Sequence, residues 1–306
     1  QHCFYGSRRA PVERTEMDVG PFRMEVIEPM RRTRIILDDN ESGITCDLTF
    51  SARTASIQEA RQTLWQGTRR AMDATRFDQF GRWSGVVNHP DGQIRVDESV
   101  CLGTKDRSWG VRWVGERETG GAPVIPDGIC FVWAPLIWDD HISHAIFFDG
   151  PKGEPLVREG LEAPLYQTEA EIPGVEDGLV ERKLTARHRI EYHPGTRLAK
   201  AAEIDLVNLD DGVRRIKLEP KLKFMMKGLG YGHPEWKQGA WKGELATGHE
   251  SFDPRQLDHQ APENIHTQQI VTATDGERQG VGVLEQIVVG PYEPAGFKGF
   301  FDGYSE

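Results

Sequence analysis

An acid, two guanidinium groups and two indoles crowd into the stretch GTKDRSWGVRW, Gly103 to Trp113. At strand period Asp106, Ser108, Gly110 and Arg112 share one face, while Arg107, Trp109, Val111 and Trp113 share the other. Asp106 and Arg112 are about 20 Å apart along an extended chain, too far to pair with each other. Each needs a partner on another strand, or a ligand. A carboxylic acid inside an apolar, aromatic wall keeps its proton to higher pH, which is what a proton donor to carbon requires. Indole faces then favour the positive charge that develops. The plainer alternative is that both are ordinary wall residues satisfied by ion pairs, and a nearby Arg107 or Arg112 would pull the pKa of Asp106 down.

A second cluster, FMMKGLGYGHPEWKQGAWKGE from Phe224 to Glu244, repeats the theme with Tyr231, His233, Glu235, Trp236 and Trp241. Its glycines, Gly228, Gly230, Gly232, Gly239 and Gly243, argue against a helix and allow close backbone approach. Pro234 pushes His233 toward extended geometry. The expectation is a strand to about Lys227, a shaped loop, then another strand, with the aromatics either plugging a barrel end or facing a ligand. A third group, WDDHISH, offers Asp139, Asp140, His141 and His144. The spacing of Asp140 and His144 would suit a metal only on a helix, and the flanking runs read as strands, so no metal site is expected.

The elements that must position these residues are strands. Ile44, Cys46, Leu48 and Phe50 alternate after the turn DDNESG, and similar runs begin at Phe77, Ile94, Ile129 and Ile142. Alternation continues over 186–192, 202–206 and 216–224. QQIVTATDGERQGVGVLEQIVVG reads as a hairpin around Asp275 and Gly276. One stretch, ASIQEARQTLWQGTRRAMDA, has a helical cast with poor apolar spacing, and competes with a loop. Between about Asp149 and Gly178 the chain is rich in Pro, Gly and Glu, as a linker is. The fold class expected is all-β, in two antiparallel barrel-like halves, 1–165 and 166–306.

At 306 residues and a net charge of −11, the chain can bury a sizeable core and is a poor match for nucleic acid or an anionic membrane. Cys3, Cys46, Cys101 and Cys130 are scattered without metal-ligand spacing and read as reduced, core-filling thiols. No apolar run reaches membrane-spanning length and no signal-peptide pattern opens the sequence, so a soluble, cytoplasmic protein is expected, without membrane insertion. Phosphate-binding loops, dinucleotide fingerprints, GxSxG elbows and HExxH are absent from the sequence, so chemistry would rest on acid-base groups, with no cofactor expected.

The segments RTRIILDDNESGITCDLTFSAR, GRWSGVV, GTKDRSWGVRW, FVWAPLIWDDHISH, EYHPGTRLAKAAEIDL, MKGLGYGHPEWKQGAWKGE and GVLEQIVVGPYEPAGF together resemble a bacterial family built as two lipocalin-like halves. That family is distantly similar to the hydroxyneurosporene synthases, which are carotenoid hydratases. The resemblance implies paired antiparallel barrels with an apolar cavity, and a carboxylic acid as proton donor to an isoprenoid double bond. Only the theme of an acid near tryptophans carries over. On it, Asp106, His233 and Tyr231 are the candidate catalytic groups, and Trp109, Arg112, Trp133, His141, Glu235, Trp236 and Trp241 the candidate substrate contacts. The expected function is a cofactor-independent hydratase (lyase), isomerase or cyclase acting on a hydrophobic terpenoid or steroid-like substrate. The alternative is a carrier that binds an apolar small molecule unchanged.

Overall fold

The computed structural model describes residues 1–66, 68–111, 128–174, 177, 181–208, 212–227, 231–237 and 239–305. Among the described residues the regular structure is almost entirely antiparallel strand, as the alternating patterns require, and the chain falls into two compact units that interleave along the sequence. Unit one takes residues 1–116, 166–179 and 239–255; unit two takes 117–165, 180–238 and 256–306. The Pro- and Gly-rich stretch after Asp149 is therefore not one linker. Its first part is a strand, Pro155–Pro164, and its second contributes to unit one.

Unit one contains β1 (His2–Arg8), β2 (Phe22–Glu28), β3 (Arg32–Leu37), β4 (Thr45–Ala52), β5 (Ile57–Gln58), β6 (Gln62–Gln66), β7 (Arg69–His89), β8 (Gly92–Val96) and β9 (Leu102–Val111). Unit two then supplies β10 (Ile129–Ile137), β11 (His141–Asp149), β12 (Pro155–Pro164), β13 (Arg182–Tyr192), β14 (Ala199–Asn208) and β15 (Gly212–Met225). After β16 (Leu245–Ser251) in unit one, unit two ends with β17 (Thr267–Asp275) and β18 (Arg278–Val289).

The spine of unit one is the 21-residue β7, which pairs with β4, β5, β6, β8 and β9; β2 and β3 extend the sheet beyond β4, and β1 pairs separately with β16. The stretch with a helical cast, residues 55–74, forms β5, β6 and the start of β7 wherever it is described. Its apolar spacing at three and four is short, Ile57, Ala60 and Leu64, before the run QGTRR interrupts it, and strand pairing satisfies the backbone instead. The run from Ile94 is also two elements. Asp97 accepts from the backbone N–H and the hydroxyl of Ser99 and turns the chain between β8 and β9. Gly103 opens the first cluster for a packing reason: the Trp83 indole lies over it, and a Cβ there would sit 2.1 Å from the ring nitrogen. Trp83 packs edge-on against the buried Phe50, beside Ala52, Ile172 and Tyr166.

Unit two is a closed eight-stranded barrel in the order β10-β11-β12-β13-β14-β15-β17-β18, with β18 returning to β10. Alternate residues point inward, and Val132, Ala134, Leu136, Ala145, Phe147, Ile204, Ile216 and Leu284 fill the interior as one apolar cluster. Gly276 at φ 59° makes the two-residue turn from β17 to β18, as Asp275–Gly276 suggested. At one end Arg197 donates to the carbonyls of Val288, Gly290, Gly299 and Asp302 and pairs with the Asp302 carboxylate, with its guanidinium 4.3 Å from the Phe297 ring centre. Closure into a barrel is seen in unit two alone among the described residues. Among these residues no helix is long and apolar enough to cross a membrane. The four cysteines are free, and Cys130 alone of them is buried, its thiol pushed up to about 12 mainly by that burial.

Candidate functional site

Register on β7 brings three carboxyl groups and one guanidinium to one face of unit one. Asp78 faces Asp106 across the β7/β9 ladder and Ile57 across the β7/β5 ladder. The Glu59 N–H donates to the Arg76 carbonyl, which extends the β5 pairing and sets Glu59 beside Arg76 and Asp78. Arg76, Asp78 and Phe80, two residues apart on β7, share the face. Arg76 reaches Glu59 with Nη1 at 3.6 Å and Asp106 with Nε at 3.4 Å.

The burial of these acids is unequal. Asp78 is fully excluded from solvent and Glu59 nearly so, among Ile57, Ala74 and Phe80, whereas the Asp106 side chain is 41% exposed. Like charges opposite each other in a ladder repel, and an isolated carboxylate cannot be held in such surroundings. Burial first, then the charge of Glu59 and its hydrogen bond, push the pKa of Asp78 up to about 10, with a smaller push from Asp106 and an opposing pull from Arg76. Asp78 thus holds a proton at neutral pH, hydrogen-bonded to Glu59. Two carboxyls sharing one proton beside an arginine form a proton donor with an acceptor next to it.

The opposite face of the same strands is different. Phe77 and Trp109 lie against each other at 6.1 Å, and Lys105 sits over the rings of Phe50 and Phe77 at 5.5 and 5.7 Å. Burial, with help from the charge of Arg107, pulls the Lys105 amine down to about 8.

Asp106 is at the site, but as the half-exposed partner of Arg76; the buried acid is its cross-strand neighbour, Asp78. Trp109 is on the other face of β9, so acid and indole do not share a wall. Arg112 lies outside the described residues. The second cluster divides, Tyr231 to Trp236 grouping with unit two and Trp241 with unit one, where Arg9 stacks on its exposed indole at 5.2 Å. His233 is buried in its own loop, its Nδ1 accepting from the N–H groups of Glu235 and Trp236 at 3.1 and 3.0 Å, which makes it a brace for the turn around Pro234. Tyr231 is exposed and edge-on to His266, Glu235 is exposed, and Trp236 is half-buried. Trp133 packs on the outward face of β10 with Phe131 and Ile146.

His141 opens β11 and stacks on Trp138 at 5.7 Å, in contact with Asp140 at 2.6 Å and Arg214 at 3.1 Å. Arg214 in turn pairs with Glu162 and Asp275 and lies over Trp138. This is a closed ionic network at one end of the barrel. His144 lies in the strand β11, so the helical turn that the Asp140 to His144 spacing would need is not formed. A cleft of about 240 Å³ on the barrel is lined by Arg187, His188, Arg189, Glu203, Asp205 and Arg215, a charged surface unlike the apolar cavity expected.

Asp78 and Glu59 are the residues that sequence reasoning missed. The available signal was an acid inside the run FDQF, at a position whose neighbours two residues away, Arg76 and Phe80, define a strand face.

The chain belongs to the family of unknown function DUF8625, whose profile matches residues 1–298. No curated protein matches the sequence. Among solved structures the chain is similar to an AttH-like protein of Nitrosomonas europaea, with a TM-score of 0.51 and 14% identity over 87% of this chain and 68% of that one. It is also similar to CghA with Sch210972, with a TM-score of 0.46 and 10% identity over 87% of this chain and 67% of that one. At these identities the likeness to the AttH-like protein shows the fold alone.

Proposed function

We propose that the Asp78–Glu59 pair is a proton-transfer site and that the protein is an acid-base enzyme, a hydratase, isomerase or cyclase for a hydrophobic terpenoid or steroid-like substrate. The observation that carries this reading is a fully buried carboxyl group whose surroundings keep it protonated at neutral pH. Perturbed carboxyls of this kind concentrate at catalytic sites. The resemblance of the sequence segments to a family distantly similar to the carotenoid hydratases supports the same reaction class.

In the proposed step the π electrons of a substrate double bond take the Asp78 proton, forming a C–H bond and leaving the O–H pair on Asp78. Arg76, which the new carboxylate faces beside Glu59, stabilises the developing negative charge. The carbocation is then resolved by water, whose proton returns to the carboxylate pair, or by loss of a neighbouring C–H proton to that pair. Addition of water gives a hydratase; proton loss gives an isomerase. Ile57 and Phe80 keep bulk water from the acid, as the raised pKa requires.

The test is turnover of a panel of isoprenoid and steroid alkenes in isotopically labelled water, read by mass spectrometry. Wild type should incorporate label. Asp78→Asn should lose about 100-fold or more, while Asp106→Asn should retain most activity because Arg76 keeps Glu59 as a partner. Turnover surviving in Asp78→Asn would refute the assignment. Saturable binding of the same compounds with no turnover by wild type would favour the carrier.

A further inference from the structure

We propose that His2, His89 and Asp91 form a binding site for a divalent transition-metal ion of the zinc type in unit one. The sequence shows no such site, because the ligands come from two distant places and make no recognisable spacing. The fold brings them together. His89 ends β7 and Asp91 lies in the two-residue Pro90–Asp91 turn before β8, with His89 facing Gly92 across the hairpin. His2 begins β1, opposite Ser251 of β16. One ligand atom from each of the three lies within 4.8 Å of the others.

The local chemistry suits a metal. His2 Nδ1 contacts the Ser251 hydroxyl at 2.7 Å, and its Nε2 contacts the Asp91 carboxylate at 2.6 Å. A metal-bound histidine commonly has its second ring nitrogen held in this way, which fixes the ring and its tautomer. The Asp91 N–H donates to His89 Nδ1 at 3.3 Å, a bond that ligation by either nitrogen of His89 gives up, and the two rings stack at 6.2 Å. Ligand atoms about 2.1 Å from a tetrahedral ion stand about 3.4 Å apart. Entry of the ion therefore displaces the proton shared by His2 and Asp91 and opens that contact by less than 1 Å. Asp91 is largely exposed and free to make this adjustment. Two imidazoles and one carboxylate leave a position for water, and select an ion of the zinc or cobalt type over calcium or magnesium. The net charge of −11 favours any cation. The bound ion would tie the β1–β16 ribbon to the β7–β8 hairpin, and the acid pair takes no part in it.

The experiment is calorimetric titration of the chelator-treated 306-residue chain with Zn²⁺, alongside titration with Co²⁺ followed by visible absorption. The expected result is one equivalent bound, a higher Tm, and a cobalt spectrum of low coordination number. His89→Gln and Asp91→Asn should each weaken binding by about tenfold or more, with the Tm of the metal-free protein unchanged. Absence of saturable binding by wild type would overturn the proposal. So would wild-type affinity in both variants, which would place the ion on other side chains.

Discussion

Asp78→Asn tests the buried acid through stability alone, with no substrate needed. In the unfolded chain Asp78 has an ordinary carboxyl pKa of about 3.9, and it is ionised above that value. In the folded chain it keeps its proton up to about 10. Between these values the native state binds one proton more than the unfolded state, so the stability contributed by this group is lost as pH rises. The slope is about 1.4 kcal/mol per pH unit, which sums to about 4 kcal/mol from pH 5 to 8. That is a large part of a typical domain's 5 to 15 kcal/mol. Asparagine has no such slope. Its amide replaces the carboxyl hydrogen bond to Glu59 imperfectly, at a pH-independent cost of about 1–3 kcal/mol. The variant should therefore gain on wild type by about 4 kcal/mol between pH 5 and pH 8 and be the more stable protein near pH 8. The assay is urea unfolding followed by tryptophan fluorescence at four pH values across that range. The quantity to extract is the difference between variant and wild type, since other titrating groups cancel in it. Parallel profiles, with a constant offset, would mean that Asp78 is ionised in the native state and that the proton-donor argument is wrong.

Two further outcomes follow from other buried charges. Lys105, with its amine near 8, should carry about a hundredfold more free base at pH 8 than an ordinary lysine; brief acylation at that pH, mapped by peptide mass, should modify it ahead of the surface lysines, and uniform labelling would contradict the burial argument. In the barrel, Asp149 accepts from Arg158 at 3.1 Å, His188 at 2.9 Å and Tyr292 at 3.1 Å. Burial pushes its carboxyl up, but hydrogen bonds and charge from His188 and Arg158 outweigh this and hold it below the usual carboxylate range. Asp149→Asn should cost about 3–5 kcal/mol at pH 7 by leaving buried charge unpaired. The gap should close as pH falls below about 4, where wild type loses the same interaction; a gap that persists into acid would point to a packing defect instead.

Much of the strand pattern was legible because period-two alternation and turn residues are local signals. The β17–β18 hairpin around Asp275 and Gly276 and the alternating run through Phe50 are examples. Burial of a polar residue is not local. Asp78 sits in a strand that the sequence marks, yet its chemistry depends on Glu59, which lies in a stretch with a helical cast, and on pairing of β7 with both β5 and β9. Asp106 was nearer the surface for the same reason: nothing in GTKDRSWGVRW tells which of its faces the sheet buries. His233 looked like chemistry because it stands among aromatics, but the proline after it makes a turn whose N–H groups need an acceptor, and His233 supplies it. The interleaving of the units was hidden because β1 and β16 lie more than two hundred residues apart.

That interleaving has a consequence for how the chain can be made and cut. Unit one draws on residues as late as 255, so on the ribosome its first nine strands emerge long before β16, the partner of β1. The barrel waits longer still, for β18 to reach β10. A truncation at residue 165, where composition suggests a border, would leave β10, β11 and β12 without the rest of their barrel and β1 with an open edge, inviting aggregation. Dissection of this protein into separately expressed pieces should follow the strand ladders, and no single cut in the sequence respects them.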